Sequence, residues 1–310
     1  MNVIHATAEL QAGSRPVCLA IGVFDGVHLG HQRVIRQALG DAARHGGLSV
    51  VITFDRHPAA VLAPARVPPL IYPPAKKMRV LASLGPDTAC VIHFDKEFSR
   101  MTGEKFVRGL ARDCGRIQSL SVGRGFSFGR GRSGNVALLN ALGKELNCAV
   151  HALAEVSLDG RPVSSTRVRA AVRAGRFLQA GQMLGRPYAL CGRVIKGAGL
   201  GRQMGVATAN LDLAGLLVPP SGVYAARALV CGQSHAAAVN IGCRPTLAGV
   251  APPLQVEAHL LDFAGDIYGE EMELGFLKKL RDEQKFASLA GLHEQILRDI
   301  AHVRDLSGDS

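Results

Sequence analysis

Along the first 160 or so positions, apolar residues alternate between short unbroken runs and runs spaced by three or four. The unbroken runs fall at 17–23, 48–54, 89–94, 117–122 and 149–156, and read as strands buried on both faces. Between them, at 29–44, 75–84, 103–113, 135–146 and 166–173, the spacing is helical, as in Val34, Ile35, Ala38, Leu39 and Ala42. Strand and helix in alternation predict a parallel sheet with helical crossovers. After Gly175 the rhythm changes. One helical stretch, 176–184, leads to Gly185-Arg186-Pro187, and β-like runs follow at 189–195, 222–230, 236–241 and 254–263, punctuated by Gly, Pro and Asn. These predict an antiparallel barrel or sandwich, closed by an amphipathic helix near 289–303. The change of pattern sets a domain boundary near residue 185, giving domains 1–185 and 186–310.

Apolar residues make up 47% of the 310 and charged residues 20%, the composition of a folded globular protein. No apolar run approaches the roughly 20 residues that span a bilayer, and no basic-then-apolar leader opens the chain. Seven scattered cysteines without a Cys-x-x-Cys pair suit reduced thiols in a cytoplasm. The net charge of +11 is uneven: residues 1–185 hold 24 Lys and Arg against 12 Asp and Glu, and residues 186–310 hold 12 against 13. With 5% aromatics and no tryptophan, the excess suits small phosphorylated substrates better than nucleic acid. The partners expected are therefore small molecules, with no nucleic acid and no membrane, and a monomer or weak homo-oligomer.

Three segments carry candidate chemistry in the first domain. Gly22-Val23-Phe24-Asp25-Gly26-Val27-His28-Leu29-Gly30-His31 turns a buried strand into a helix. Histidines three apart share a helical face, and a helix N-terminus attracts phosphate. The second segment, 122–134, follows a strand and mixes glycines with Arg124, Arg130 and Arg132. The third, Val163-Ser164-Ser165-Thr166-Arg167-Val168-Arg169, opens a helix with hydroxyls and guanidiniums suited to phosphate oxygens. Singly, each also reads as packed histidines, a solvent loop or a helix cap; their company in one alternating domain favours a nucleotide site.

In the second domain Gly192 to Leu211 is rich in glycine without being a P-loop, and Thr208 and Asn210, two apart, face one side of an extended segment. Oxygen ligands of that kind suit magnesium. Glu257 stands among Leu254, Val256 and Leu260, and by period alone it is a charge on a strand's outer face.

The histidine segment, with Thr53-Phe54-Asp55-Arg56-His57-Pro58, Phe126-Ser127-Phe128-Gly129 and Ser164-Ser165-Thr166-Arg167, resembles the prokaryotic bifunctional riboflavin kinase/FMN adenylyltransferase family. Gly222-Val223-Tyr224, Asn240-Ile241-Gly242, Glu257-Ala258-His259, Asp266-Ile267-Tyr268-Gly269 and Leu280-Arg281-Asp282 follow in the family's order. The resemblance implies a Rossmann-like nucleotidylyltransferase domain followed by an antiparallel β-barrel kinase domain with a C-terminal helix. In the first domain it implies ATP contacts from Gly22, Phe24, Asp25, Gly26, His28, Gly30, His31, Ser165, Thr166 and Arg167, with flavin bordered by Asp55, Pro58, Phe126 and Phe128. In the second it implies ATP contacts from Lys196, Gly197, Gly199, Gly205, Thr208 and Asn210, Mg2+ at Thr208 and Asn210, Glu257 as base, and Arg281 in a flap over the flavin. Riboflavin, FMN and FAD would be substrates and products, with ATP and Mg2+ used twice. Two departures stand out: Gly125 where the family has Asp or Asn, and Val206-Ala207 where it has Phe-Pro. Gly125 keeps open a kinase whose first domain is weakened or inactive; a flavin- or nucleic-acid-binding regulator without turnover is the other alternative.

Overall fold

The computed structural model describes residues 1–197, 205–243 and 254–308. In chain order its strands are β1 (Asn2–Ile4), β2 (Val17–Ile21), β3 (Leu48–Phe54), β4 (Thr88–Ile92), β5 (Ile117–Gly123), β6 (Ala149–Leu153), β7 (Ser157–Leu158), β8 (Arg161–Pro162), β9 (Ala189–Ile195), β10 (Ala209–Leu211), β11 (Gly222–Val230), β12 (Gln233–Cys243), β13 (Leu254–Leu260) and β14 (Glu271–Arg281). The helices are α1 (Leu29–His45), α2 (Ala59–Leu62), α3 (Pro74–Ser83), α4 (Gly103–Cys114), α5 (Val136–Glu145), α6 (Ser165–Arg173), α7 (Phe177–Leu184) and α8 (Leu289–Gly308).

The first compact unit is built on a six-stranded parallel sheet in the order β1-β4-β3-β2-β5-β6. Every residue of β2 and β3 is buried, because alternate side chains enter opposite layers. Cys18, Ala20 and Val51 pack with Val34, Ile35 and Ala38 of α1 and Leu81 of α3. Leu19, Ile21, Val50 and Ile52 pack with Phe106 and Leu110 of α4 and Leu139 of α5. From β2 the chain winds outward through β3 and β4, then returns to place β5 on the other side of β2. The carboxyl end of β2 is thus the point where strand order reverses, the place where open α/β sheets bind ligands.

The second unit is a closed antiparallel barrel, β10-β13-β12-β11-β14-β9. Barrel, and not sandwich, is the outcome of the two readings. β14 escapes the apolar-run pattern because Met272, Leu274 and Phe276 point inward while Glu271 and Glu273 between them do not. α8 seals the barrel through Val303 and Ile300, which pack with Ala225, Ala236, Ala238 and Leu261. Asp299 of α8, 4% exposed, receives Nε and Nη2 of Arg281, the shortest bond at 2.8 Å, and Nε2 of Gln295 at 3.0 Å.

The compact units divide after Ser165, with Ile71–Pro73 joining the second. This is earlier than the change of sequence pattern near 185. The aromatic layer explains it: Phe177 of α7 stacks on Phe276 at 4.9 Å and on Tyr188 at 6.1 Å, and meets Tyr224 edge-on. Helical spacing gives Phe177 an apolar position, not the rings it packs against. Among the described residues no helix is long and apolar enough to cross a membrane.

Candidate active sites

Residues 22–28 carry the chain from β2 into α1, and their carbonyls are held one by one. Thr53 Oγ1 donates to Val23 O at 3.0 Å, Val27 N to Phe24 O at 3.1 Å, Ser165 Oγ to Asp25 O at 2.9 Å and Gln32 Nε2 to Val27 O at 3.0 Å. The holding offsets strain. Phe24 (φ +53°), Gly26 (φ +77°) and Val27 (φ +42°) all lie in the left-handed region. Glycine enters it freely; a β-branched valine does not.

The outcome is a stacked histidine pair. His28 is the N-cap of α1, and its Nδ1 accepts the His31 N–H at 3.4 Å. The imidazoles stack with centroids 3.6 Å apart, and Phe24 meets His31 edge-on at 5.3 Å. A Cβ at residue 30 would stand 3.1 Å from the His28 ring, so Gly30 leaves that ring its place. Because Nδ1 accepts, a neutral His28 carries its hydrogen on Nε2, a donor beside the positive end of α1. Gly22 stays tied to β3 through Gly22 N to Ile52 O at 3.1 Å, and Asp25 is buried. Ser165 joins the turn directly. Thr166 and Arg167 are the next residues of α6, which beyond Ser165 groups with the second unit.

Beside this turn lies a cavity of about 510 Å³. Six of the chain's eleven phenylalanines line it, Phe54, Phe94, Phe98, Phe106, Phe126 and Phe128, with Val23, Pro58 and Met101; Arg130 and Arg132 add charge. Phe126 and Phe128 stack at 5.1 Å, and the other rings meet edge-on at 5.5–5.9 Å. The Gly/Arg segment is an ordered wall: Phe128 and Gly134 exchange backbone hydrogen bonds, and Arg130 N reaches Met101 O at 2.8 Å. The sequence reading singled out Pro58, Phe126 and Phe128 here and missed Phe54, Phe94, Phe98 and Phe106. Their signal was position, since Phe54 ends β3 and Phe94 follows β4. At Gly125 a Cβ would meet nothing within 4 Å, so the departure there deletes a side chain without reshaping the loop.

Asp55 is held beside the cavity wall. Oδ1 accepts from Phe94 N at 3.0 Å, and Oδ2 lies 2.7 Å from His93 Nδ1 and 3.2 Å from Arg56 Nε. Burial pushes this carboxyl up, but the Phe94 N–H, Arg56 and His93 outweigh it and hold it below the ordinary carboxylate range. Lys77, which sequence reasoning passed over, reaches the same place from α3. Its Nζ donates to Phe54 O at 2.8 Å and to Thr53 Oγ1 at 3.3 Å. Burial pushes its ammonium down to about 8, against the pull of Asp25 and Asp55.

In the barrel, Asn210, Glu257 and Asn240 form one row across three neighbouring strands, since Glu257 pairs with Asn210 on β10 and with Asn240 on β12. Val256, Ala258 and Leu260 fill the interior, so Glu257 and His259 stand on the outer face, half-buried. The Asn210 carboxamide lies against Gly197, where any side chain would collide. Lys196, Gly197 and Asn210 share a cavity of about 500 Å³, and Lys196 Nζ sits 5.7 Å from the Tyr268 ring. Thr208 and Glu257 are outside that cavity's lining. Gly199 lies outside the described residues; Gly205 is in the left-handed region at φ +73°. Arg281, expected over the substrate, has its guanidinium bonded to Asp299.

Comparison with known proteins meets both halves. The FAD synthetase family pattern matches residues 10–167, and the riboflavin kinase pattern matches residues 184–307. A bifunctional riboflavin kinase/FMN adenylyltransferase of Escherichia coli K12 is 38% identical over 311 residues, covering 99% of this chain and 98% of that one. Its counterpart from Pseudomonas fluorescens is 37% identical over 310 residues, covering 100% and 99%. Among solved structures, one described as a macrolide-efflux protein from Streptococcus pneumoniae superposes with a TM-score of 0.82 at 28% identity, covering 98% of this chain and 99% of that one. With both patterns in order and the likeness running end to end, the chain belongs to the bifunctional riboflavin kinase/FMN adenylyltransferase family.

Proposed function

We propose that the barrel domain transfers the γ-phosphoryl group of ATP to riboflavin, giving FMN, and that the first domain transfers AMP from a second ATP to FMN, giving FAD and pyrophosphate. The observation that carries this reading is the phenylalanine-lined cavity beside the stacked histidines. A flat tricyclic ring suits a wall of edge-on and stacked rings, and a polyphosphate suits imidazoles at a helix N-terminus.

The two reactions ask for different side chains. The FMN phosphate is already anionic, so its attack on the α-phosphorus needs alignment and cancellation of charge on the departing pyrophosphate, not a base. His28, His31, Ser165, Thr166 and Arg167 are assigned that task, with Gly22, Phe24, Asp25, Gly26 and Gly30 shaping the turn. Asp55, Pro58, Phe126 and Phe128 border the flavin. The riboflavin hydroxyl is a poor nucleophile and must lose a proton as it attacks; Glu257 is assigned as the acceptor. Lys196, Gly197, Gly199, Gly205, Thr208 and Asn210 are assigned to the nucleotide, and Arg281 to the flap.

Among the described residues no cluster of three or more His, Cys, Asp or Glu is placed to hold a metal. Thr208 and Asn210 offer neutral oxygens, which fits magnesium brought in by the nucleotide's phosphates. The ion supplies charge neutralisation at those oxygens. The domain division proposed for function is 1–185 and 186–310, and the cytoplasm is the proposed location. Incubation with riboflavin, ATP and magnesium, followed by separation of flavins, tests the reading: FMN and then FAD are expected. FMN accumulating without FAD transfers the conclusion to a kinase crippled at Gly125; neither product refutes it.

A further inference from the structure

β10 is three residues long, and its ladder to β13 pairs Ala209 with Ala258 and Asn210 with Glu257. Carried one residue further, that register sets Thr208 opposite His259, but β10 has ended there. A side chain takes over where the backbone ladder stops: His259 Nδ1 lies 2.8 Å from Ala207 O. A carbonyl only accepts, so Nδ1 carries the hydrogen. Val206 and Ala209 are both buried, so the bond at Ala207 ties down the short outward segment between two anchored residues, with Thr208 directly after it. The alanine matters. A proline at 207 would preset φ; alanine does not, and the imidazole bond restricts the segment instead.

We propose that His259 is a positioning residue for phosphoryl transfer, holding the Ala207 carbonyl so that Thr208 and Asn210 present their oxygens on the outer face that carries Glu257. The inference rests on the reading of the barrel as a kinase. His259 touches no reacting atom. Its effect is therefore on the nucleotide held by Thr208 and Asn210, not on the proton taken by Glu257.

The test uses the full chain, with FMN formation measured as ATP is varied at saturating riboflavin and magnesium. His259→Ala removes the donor; His259→Asn keeps an N–H near the place of Nδ1. For His259→Ala, KM for ATP is expected to rise about tenfold, the worth of one hydrogen bond, while kcat falls by less than about threefold. His259→Asn is expected to return KM to within about threefold of the parent. Far-ultraviolet circular dichroism and the melting temperature, measured on the same preparations, verify that the barrel is folded. An unchanged KM in His259→Ala overturns the proposal. So does an equal loss in both variants accompanied by an equal fall in melting temperature, which marks a purely structural residue. If His259→Ala does not fold, His259→Asn decides alone: KM near the parent value supports the proposal, and a tenfold rise overturns it. Failure of the unmodified chain to make FMN refutes the kinase reading itself and is distinguishable from these results.

Discussion

Replacing Lys77 by methionine removes an ammonium and keeps a chain of similar length, and the expected consequence is a change in how stability depends on pH. Burial depresses the Lys77 amine from its usual 10.5 to about 8. Between those values the unfolded chain holds a proton that the folded protein has released. Unfolding then takes up a proton, and stability rises with pH through that window. The charged amine thus weakens the fold at neutral pH, a handicap relieved as pH climbs from about 8 to 10.5. Integrated between about pH 7 and pH 10, the two values give about 2.5 kcal/mol. The loss of the Nζ bonds to Phe54 O and Thr53 Oγ1 lowers the variant by an offset independent of pH, and other titrating groups cancel in the difference. Urea denaturation followed by far-ultraviolet circular dichroism, run on both proteins at each pH, measures it. The parent should gain on Lys77→Met by about 2.5 kcal/mol from pH 7 to pH 10, with partial solvation bringing this no lower than about 1 kcal/mol. A difference that stays constant, or shrinks, would mean the amine is as hydrated as a free lysine and refutes its placement between β3 and the histidine turn.

Substituting both His28 and His31 by alanine should lower FAD formation from FMN by about 100-fold or more, with FMN formation from riboflavin retained. Glu257→Gln should do the opposite, cutting FMN formation by about 100-fold or more while supplied FMN is still converted to FAD; separated flavins report both. Phe98→Ala opens the cavity wall and should raise KM for FMN about tenfold at little change in kcat. Asp299→Asn removes the buried carboxylate that holds the half-buried Arg281 guanidinium and should destabilise the barrel by about 3 kcal/mol, read as a lowered melting temperature that adenylyl transfer does not follow.

The sheet was legible because β2 and β3 are buried on both faces and so have no polar period to confuse them. The errors cluster where the site is. The runs at 17–23, 89–94 and 149–156 overshoot β2, β4 and β6 at their carboxyl ends; in the first two the cause is an apolar residue, Val23 or Phe94, that has left strand geometry to line a cavity. Asn2–Ile4 and Ala209–Leu211 were missed because three residues are too few to show a period. Within the candidate sites, residues marked by local chemistry stood out, the histidines at a helix start and the hydroxyls opening α6; Glu257 did not, since period alone makes it a charge on a strand's outer face. Residues that matter by convergence were not. Lys77 comes from α3, and Phe106 from α4; nothing in their own neighbourhoods announces where their tips end up. Arg281 was expected in a flap over the substrate; it ends β14, a strand the apolar runs did not show, and its partner Asp299 lies 18 residues away, beyond the reach of pattern.

The twisted backbone at Val27 has a practical edge. Asparagine or glycine would fit such a backbone with less effort, by about 1 kcal/mol or more, but Val27 is fully buried in the core, and emptying its place costs at least as much. The relaxed chain would also lose the stiff hinge that keeps two aromatic rings face to face. Core packing and precision of aim thus both hold an uncomfortable valine at a single peptide.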